Sequence, residues 1–209
     1  MRGILIKFLL FSIFPLILVS QERPVDKARK EFFKKNYQQV IKTLESEKDK
    51  ENLEVIYYLG ISYYNLKNFE KAKNLLETLI YRIEPEDPNI INESLRTLFD
   101  IYWNRREIEN LIKTGEYILK KIEKKPRFSF VIQFIKNNLS RAYGENGNNY
   151  LRNKDFQKAI DNFLVSLNYN PQNLNIKSRL GEAYYNTGEY DKAKEIFVDV
   201  IKNEKNNWY

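Results

Sequence analysis

Any chemistry performed by this chain must be done without histidine or cysteine, because neither occurs among its 209 residues. That removes the commonest general base, the commonest metal ligand, thiol nucleophiles, thiolate metal sites and disulfides. Carboxylates remain. Glu107 and Glu109, and the run of Glu84, Glu86 and Asp87, bring acids close together. Such pairs carry little signal on acid-rich helices, and Pro85 and Pro88 break the run into a solvated loop. No Gly-x-Gly-x-x-Gly, Walker loop, nucleophile elbow or zinc spacing is present. The chain is expected to carry no catalytic residue, no metal and no cofactor.

Recognition chemistry is better represented. An aromatic followed by asparagine recurs at Tyr64-Asn65, Trp103-Asn104 and Tyr185-Asn186, with Leu151-Arg152 in the corresponding place. Asparagine donates to a backbone carbonyl and accepts from a backbone N–H, while the ring supplies apolar area. This suits a groove that grips an extended peptide; alternatively, the aromatic merely shields its own helix pair. One turn or two before these pairs lie Tyr57, Ile61, Arg96, Asp100 and Glu182. The expected binding set is therefore Tyr57, Ile61, Tyr64, Asn65, Arg96, Asp100, Trp103, Asn104, Arg152, Glu182, Tyr185 and Asn186.

The elements that hold these residues repeat. Leu180-Gly181-x-x-Tyr184 is followed by Ala193-x-x-x-Phe197, and Gly147, Tyr150, Ala159 and Phe163 lie 34 residues earlier in register. Leu59-Gly60-x-x-Tyr63 followed by Ala72-x-x-x-Leu76 keeps the same internal spacings. A small residue, an aromatic about one turn later and an alanine after a turn describe two short helices in close approach. The pattern resembles the tetratricopeptide repeat, a helix–turn–helix unit of about 34 residues. The resemblance implies an all-α, right-handed superhelical solenoid whose inner groove, lined by first helices, binds another protein. Chaperone-binding members of that family clamp a C-terminal carboxylate with lysine and asparagines. Tyr57, Ile61, Arg96, Asp100, Ser178 and Glu182 stand in those places here, so that clamp is missing. The mixed charge also argues against a nucleic-acid track, which needs an unbroken basic stripe.

About five units fit the chain: 21–52, 53–86, 92–125, 127–173 and 174–207. In the first, Ala28 takes the small place. In the third, Phe99 replaces glycine and is expected to push its helices apart or tilt them, while Gly115 sits where neighbours have Leu76 or Phe163. Tyr102 to Tyr150 spans 48 residues, fourteen above the period, which predicts a lengthened first helix from about Ser129 to Asn153, either continuous or interrupted near Gly144 to Gly147. Phe128, Phe130 and Phe134 are expected either to pack on the third unit's second helix or to form an exposed ledge. The last second helix, with Ile196, Phe197, Val198, Val200 and Ile201, is expected to lack a capping helix. Trp208 and Tyr209 either fold back as a cap or leave an interface for self-association.

Residues 1–20 stand apart. Arg2 and Lys7 precede the apolar run Phe8–Val19, and Ser20 supplies a small residue. This reads as a signal peptide, with an uncleaved anchor as the alternative. No cysteine follows, so a lipoprotein is excluded. The expectation is an exported protein, periplasmic or associated with the cell envelope, touching the membrane only through the leader if that is retained. The net charge of +7 is spread over alternating Lys and Glu, as on solvated helix faces. A subunit of an envelope assembly complex, or a membrane-tethered structural protein, is the alternative reading.

Overall fold

The computed structural model describes residues 22–45 and 52–206, with side chains to residue 203. The expected leader, Trp208 and Tyr209 lie outside the described residues. Among the described residues, ten α-helices follow in antiparallel pairs: α1 Pro24–Phe33 with α2 Tyr37–Leu44, α3 Leu53–Asn65 with α4 Phe69–Arg82, and α5 Pro88–Arg105 with α6 Ile108–Ile122. A 3-10 turn at Pro126–Phe128 leads into α7 Ser129–Arg152 with α8 Phe156–Tyr169, and α9 Leu174–Asn186 pairs with α10 Tyr190–Asn206. Each pair packs on the next, giving a helical solenoid. No helix among the described residues is long and apolar enough to cross a membrane.

Each first helix stops in the same way. Lys35, Lys67, Arg106, Lys154 and Gly188 all adopt positive φ, between 59° and 82°, at the turn into the second helix. In each turn the N–H of the following residue reaches back five positions: Asn36 to the Glu31 carbonyl, Asn68 to Tyr63, Glu107 to Tyr102, Asp155 to Tyr150 and Glu189 to Tyr184. This closure satisfies helix-terminal carbonyls and reverses the chain. Elsewhere the starts are capped locally: Asn52 and Asn173 accept from backbone N–H groups at 2.9 and 3.2 Å, and Asp87 does so at 2.8 Å beside Pro88.

Within the pairs, small meets large. A Cβ built on Gly60 would lie 2.7 Å from Leu76, one on Gly147 2.5 Å from Phe163, and one on Gly181 2.7 Å from Phe197. The glycines thus let the paired helices approach, as the spacing predicts. Ala28 and Leu44, fully buried, hold the same two places in the first unit.

The long α7 runs unbroken, which excludes an interruption near Gly144 to Gly147. Gly144 and Gly147 are packing positions: a Cβ on Gly144 would meet Ile176 at 2.6 Å. Twenty-four residues make a rod of about 36 Å. Val131, Ile135, Leu139 and Ala142, from its start to just past its middle, join the core of the first three units, whereas Ala159, Phe163, Ile176 and Leu180 belong to a separate core beside its C-terminal part. Phe128 is fully buried and Phe134 stacks on Phe99 of α5 at 5.7 Å, so the contact is with the third unit's first helix; Phe130 stays exposed. On α10, Val198 and Ile201 are exposed while Val200 is buried, which removes Val200 from the expected apolar face.

Candidate protein-binding groove

The groove is built by the C-terminal halves of α3, α5, α7 and α9. In each first helix the fully or mostly buried core tyrosine (Tyr63, Tyr102) or its half-buried equivalent (Tyr150, Tyr184) is followed by the residue that the groove offers. Core packing of one residue therefore sets the direction of the next, since successive helical side chains point about 100° apart.

Tyr64 and Trp103 are half-buried, and Tyr185 is 61% exposed. The Tyr64 hydroxyl donates to Asp100 on α5 at 2.6 Å, bridging two repeats, and this bond together with burial pushes the Tyr64 phenol up to about 12. Asn104 donates to the same Asp100 carboxylate at 3.0 Å. Asn65 and Asn186 donate to the carbonyls of Ile61 and Glu182, one turn earlier on their own helices, at 2.8 and 2.7 Å. Their amide oxygens, and that of Asn104, have no hydrogen-bond partner among the described residues. All three asparagines are exposed, so three acceptors recur along the groove.

Trp103 stands between two clefts. Its indole N–H donates to Asn138 of α7 at 3.2 Å, and the Arg141 guanidinium lies 4.1 Å from its ring centroid. On one side, Tyr64, Glu93, Arg96, Asp100, Phe99 and Phe134 line an open cleft of about 440 Å³. Arg96 sits 5.2 Å from the Phe134 ring. On the other side, Arg106, Ile108, Arg141, Glu145, Asn149 and Arg152 line a more enclosed cleft of about 430 Å³. Among the described residues, no group of three or more acids could hold a metal ion.

Two of the expected contacts are corrected. Tyr57 and Ile61 are 7% and 3% exposed and belong to the core. Tyr57 packs against Phe32 and Tyr58 and donates its hydroxyl to Glu93, and burial with that carboxylate raises its pKa. Glu182 pairs with Arg179 at 2.9 Å, and Arg152 sits 3.7 Å from Glu145. The structure brings Tyr64, Arg96, Asp100, Trp103 and Arg152 around the two clefts; Asn65 and Asn104 lie outside both linings, Asn104 bonded to the Asp100 carboxylate, and Glu182, Tyr185 and Asn186 lie on α9, also outside them. Asn138, Arg141, Glu145 and Asn149 of α7 are not marked by the aromatic-asparagine repeat, because the corresponding place on this helix holds Leu151-Arg152.

Tetratricopeptide repeat models match residues 54–82 and 150–208. The chain is a tetratricopeptide repeat protein. A solved MamA protein is similar to it at a TM-score of 0.50 and 17% identity, covering 87% of this chain and 90% of that one. MamA AMB-1 is similar at 0.49 and 18%, with 87% and 90% covered, and MamA 41-end from Desulfovibrio magneticus RS-1 at 0.45 and 14%, with 88% and 94% covered. At 17% identity the first likeness concerns the helical-solenoid fold alone. No curated protein sequence matches the chain. As a stack of such repeats, the protein is a scaffold for protein–protein interaction.

Proposed function

We propose that this repeat protein is exported and grips an extended segment of another protein in the cell envelope, across the surface around Trp103. The observation that carries the reading is the recurrence of exposed asparagines with unpartnered amide oxygens at Asn65, Asn104 and Asn186, beside Tyr64, Trp103 and Tyr185. A peptide backbone offers N–H groups that such acceptors take, and a tryptophan flanked by clefts offers a centre of the kind that dominates interface energetics. We assign no catalytic role to the chain.

A photo-crosslinking residue at position 104, in cells and in envelope extract, tests this. A protein captured there, but not from a control position at exposed Lys124, supports it. Equal capture from both positions rejects the groove. Export rests on the basic-apolar-small pattern of residues 1–20. N-terminal sequencing of the mature protein should begin near Gln21, and recovery of intact Met1 from the membrane pellet would favour an anchor.

A second proposal is self-association through the last repeat. Val198 and Ile201 of α10 are 42% and 52% exposed, and Tyr185 and Tyr190 add a half-stripped aromatic pair 5.3 Å apart. Sedimentation across a concentration series, with Ile201→Glu as the variant, decides it. A monomer at every concentration sinks the idea.

A further inference from the structure

The cleft on the α7 side of Trp103 is unbalanced in charge. Three guanidinium groups, Arg106, Arg141 and Arg152, line it against one carboxylate, Glu145. Arg152 reaches that carboxylate only at 3.7 Å. Among the described residues no carboxylate pairs with Arg106 or Arg141. Arg141 rests against the Trp103 ring, its Cζ 4.1 Å from the ring centroid. A guanidinium fixed on an indole keeps its outward N–H groups for a planar, bidentate acceptor.

The opposite cleft has the reverse balance. Glu93 and Asp100 face Arg96 alone, and both carboxylates are already engaged, Glu93 by the Tyr57 hydroxyl and Asp100 by Tyr64 and Asn104. The groove therefore changes sign across a single side chain, Trp103. A long uniform polyanion laid along it would meet carboxylates within one repeat.

We propose that the arginine cleft receives the carboxylates of an acidic peptide segment, and that the sign change at Trp103 sets the direction in which that segment lies. The proposal rests on the groove reading above and names its partner's chemistry: a short run of Asp or Glu, continued across Trp103 by uncharged or basic residues. The cleft's volume of about 430 Å³ suits one or two carboxylate side chains.

Calorimetric titration of the full chain with an acetylated nonapeptide carrying three consecutive glutamates tests it. Binding should weaken with added salt. Arg141→Gln and Arg152→Gln should each lower the affinity by about two- to fivefold, as for solvent-exposed ion pairs, while Arg23→Gln, far from the cleft, should not. Unchanged melting temperatures show that the variants fold. The same nonapeptide with lysines should not bind. No binding of the glutamate peptide, or binding indifferent to both arginine variants, overturns the proposal. Tighter binding of an RNA decamer through the same arginines overturns it in favour of nucleic acid. If crosslinks at position 104 persist while the glutamate peptide fails, the acidic chemistry falls and the groove stands; if those crosslinks are lost, the groove itself falls.

Discussion

Phe99 and Gly115 exchange, in the third repeat, the places that a glycine and a large side chain hold in its neighbours. The pair, like Gly60 with Leu76 and Gly147 with Phe163, is sixteen residues apart. The Phe99 ring lies 3.4 Å from where a Gly115 Cβ would stand, with Leu139 of α7 at 3.0 Å beside it. The bulk on α5 is thus received by the gap on α6, and the ring also stacks on Phe134. The expected effect of the bulk holds in part: α5 and α6 approach each other less closely than α3 and α4 do.

This inversion makes a double-mutant cycle informative. Phe99→Gly alone should cost about 3–5 kcal/mol through the cavity it leaves, and Gly115→Leu alone about 1–3 kcal/mol through overpacking. The double variant restores the arrangement of Gly60 and Leu76, so its cost should fall below the sum by about 1–3 kcal/mol in urea unfolding. Strict additivity would mean the two sites do not share a packing volume.

Gly181→Leu should lower the melting temperature strongly, because even a Cβ there would stand 2.7 Å from the Phe197 ring. The overpacking cost is about 1–3 kcal/mol, and the shared interface with α8 should spread it to the fourth repeat. Hydrogen exchange of α8 amides in the variant measures that spread. An unchanged melting temperature rejects the packing described for Gly181.

The five positive-φ turns predict the opposite sign of change. Lys154 holds φ at 62° where Gly188 holds 82°. A side chain in the left-handed region costs about 1–2 kcal/mol, partly offset by the larger unfolded-state entropy of glycine. Lys154→Gly should therefore stabilise by about 0.5–1 kcal/mol, and Gly188→Lys should destabilise by a similar amount. Urea midpoints read both, and destabilisation by Lys154→Gly would show that the lysine side chain contributes more than its backbone costs.

Alkaline pH should loosen the stack. Hydrogen bonding to Asp100 and burial raise Tyr64 to about 12, and burial with the Glu116 carboxylate raises Tyr169 to about 12, against an ordinary phenol near 10. The folded state then keeps protons that the unfolded chain loses above about pH 10. The stabilisation is fully present below pH 10 and is lost as pH rises through about 12. Urea midpoints measured upward from pH 9 should fall, and the Tyr64→Phe, Tyr169→Phe double variant should fall less steeply. Parallel curves would deny these tyrosines a part in the effect.

Trp103→Ala should remove the divider between the two clefts while leaving helical circular dichroism in place, since the ring is only half-buried. If it is an anchor for the captured protein, affinity drops by about 2 kcal/mol. Loss of helicity alongside binding would move Trp103 into the core and leave the groove without its centre.

Read alone, the residues determined the repeat. Glycine, tyrosine and alanine at fixed spacings, with prolines and asparagines at the breaks, encode helix pairs because periodicity and capping act within a few residues along the chain. The small-to-large pairing at Gly60, Gly147 and Gly181 was legible for the same reason. What the stack decided lies between repeats. Tyr57 and Ile61 stand on the expected groove side of α3, yet neighbouring side chains such as Phe32 from α1 and Glu93 from α5 close over that face. Arg141 reaches Trp103 across 38 positions of sequence, carried there by the lengthened α7. Periodicity specifies which side of a helix is apolar; the distance and tilt between successive pairs, set by side-chain volumes such as Phe99 against Gly115, specify which surface residues meet.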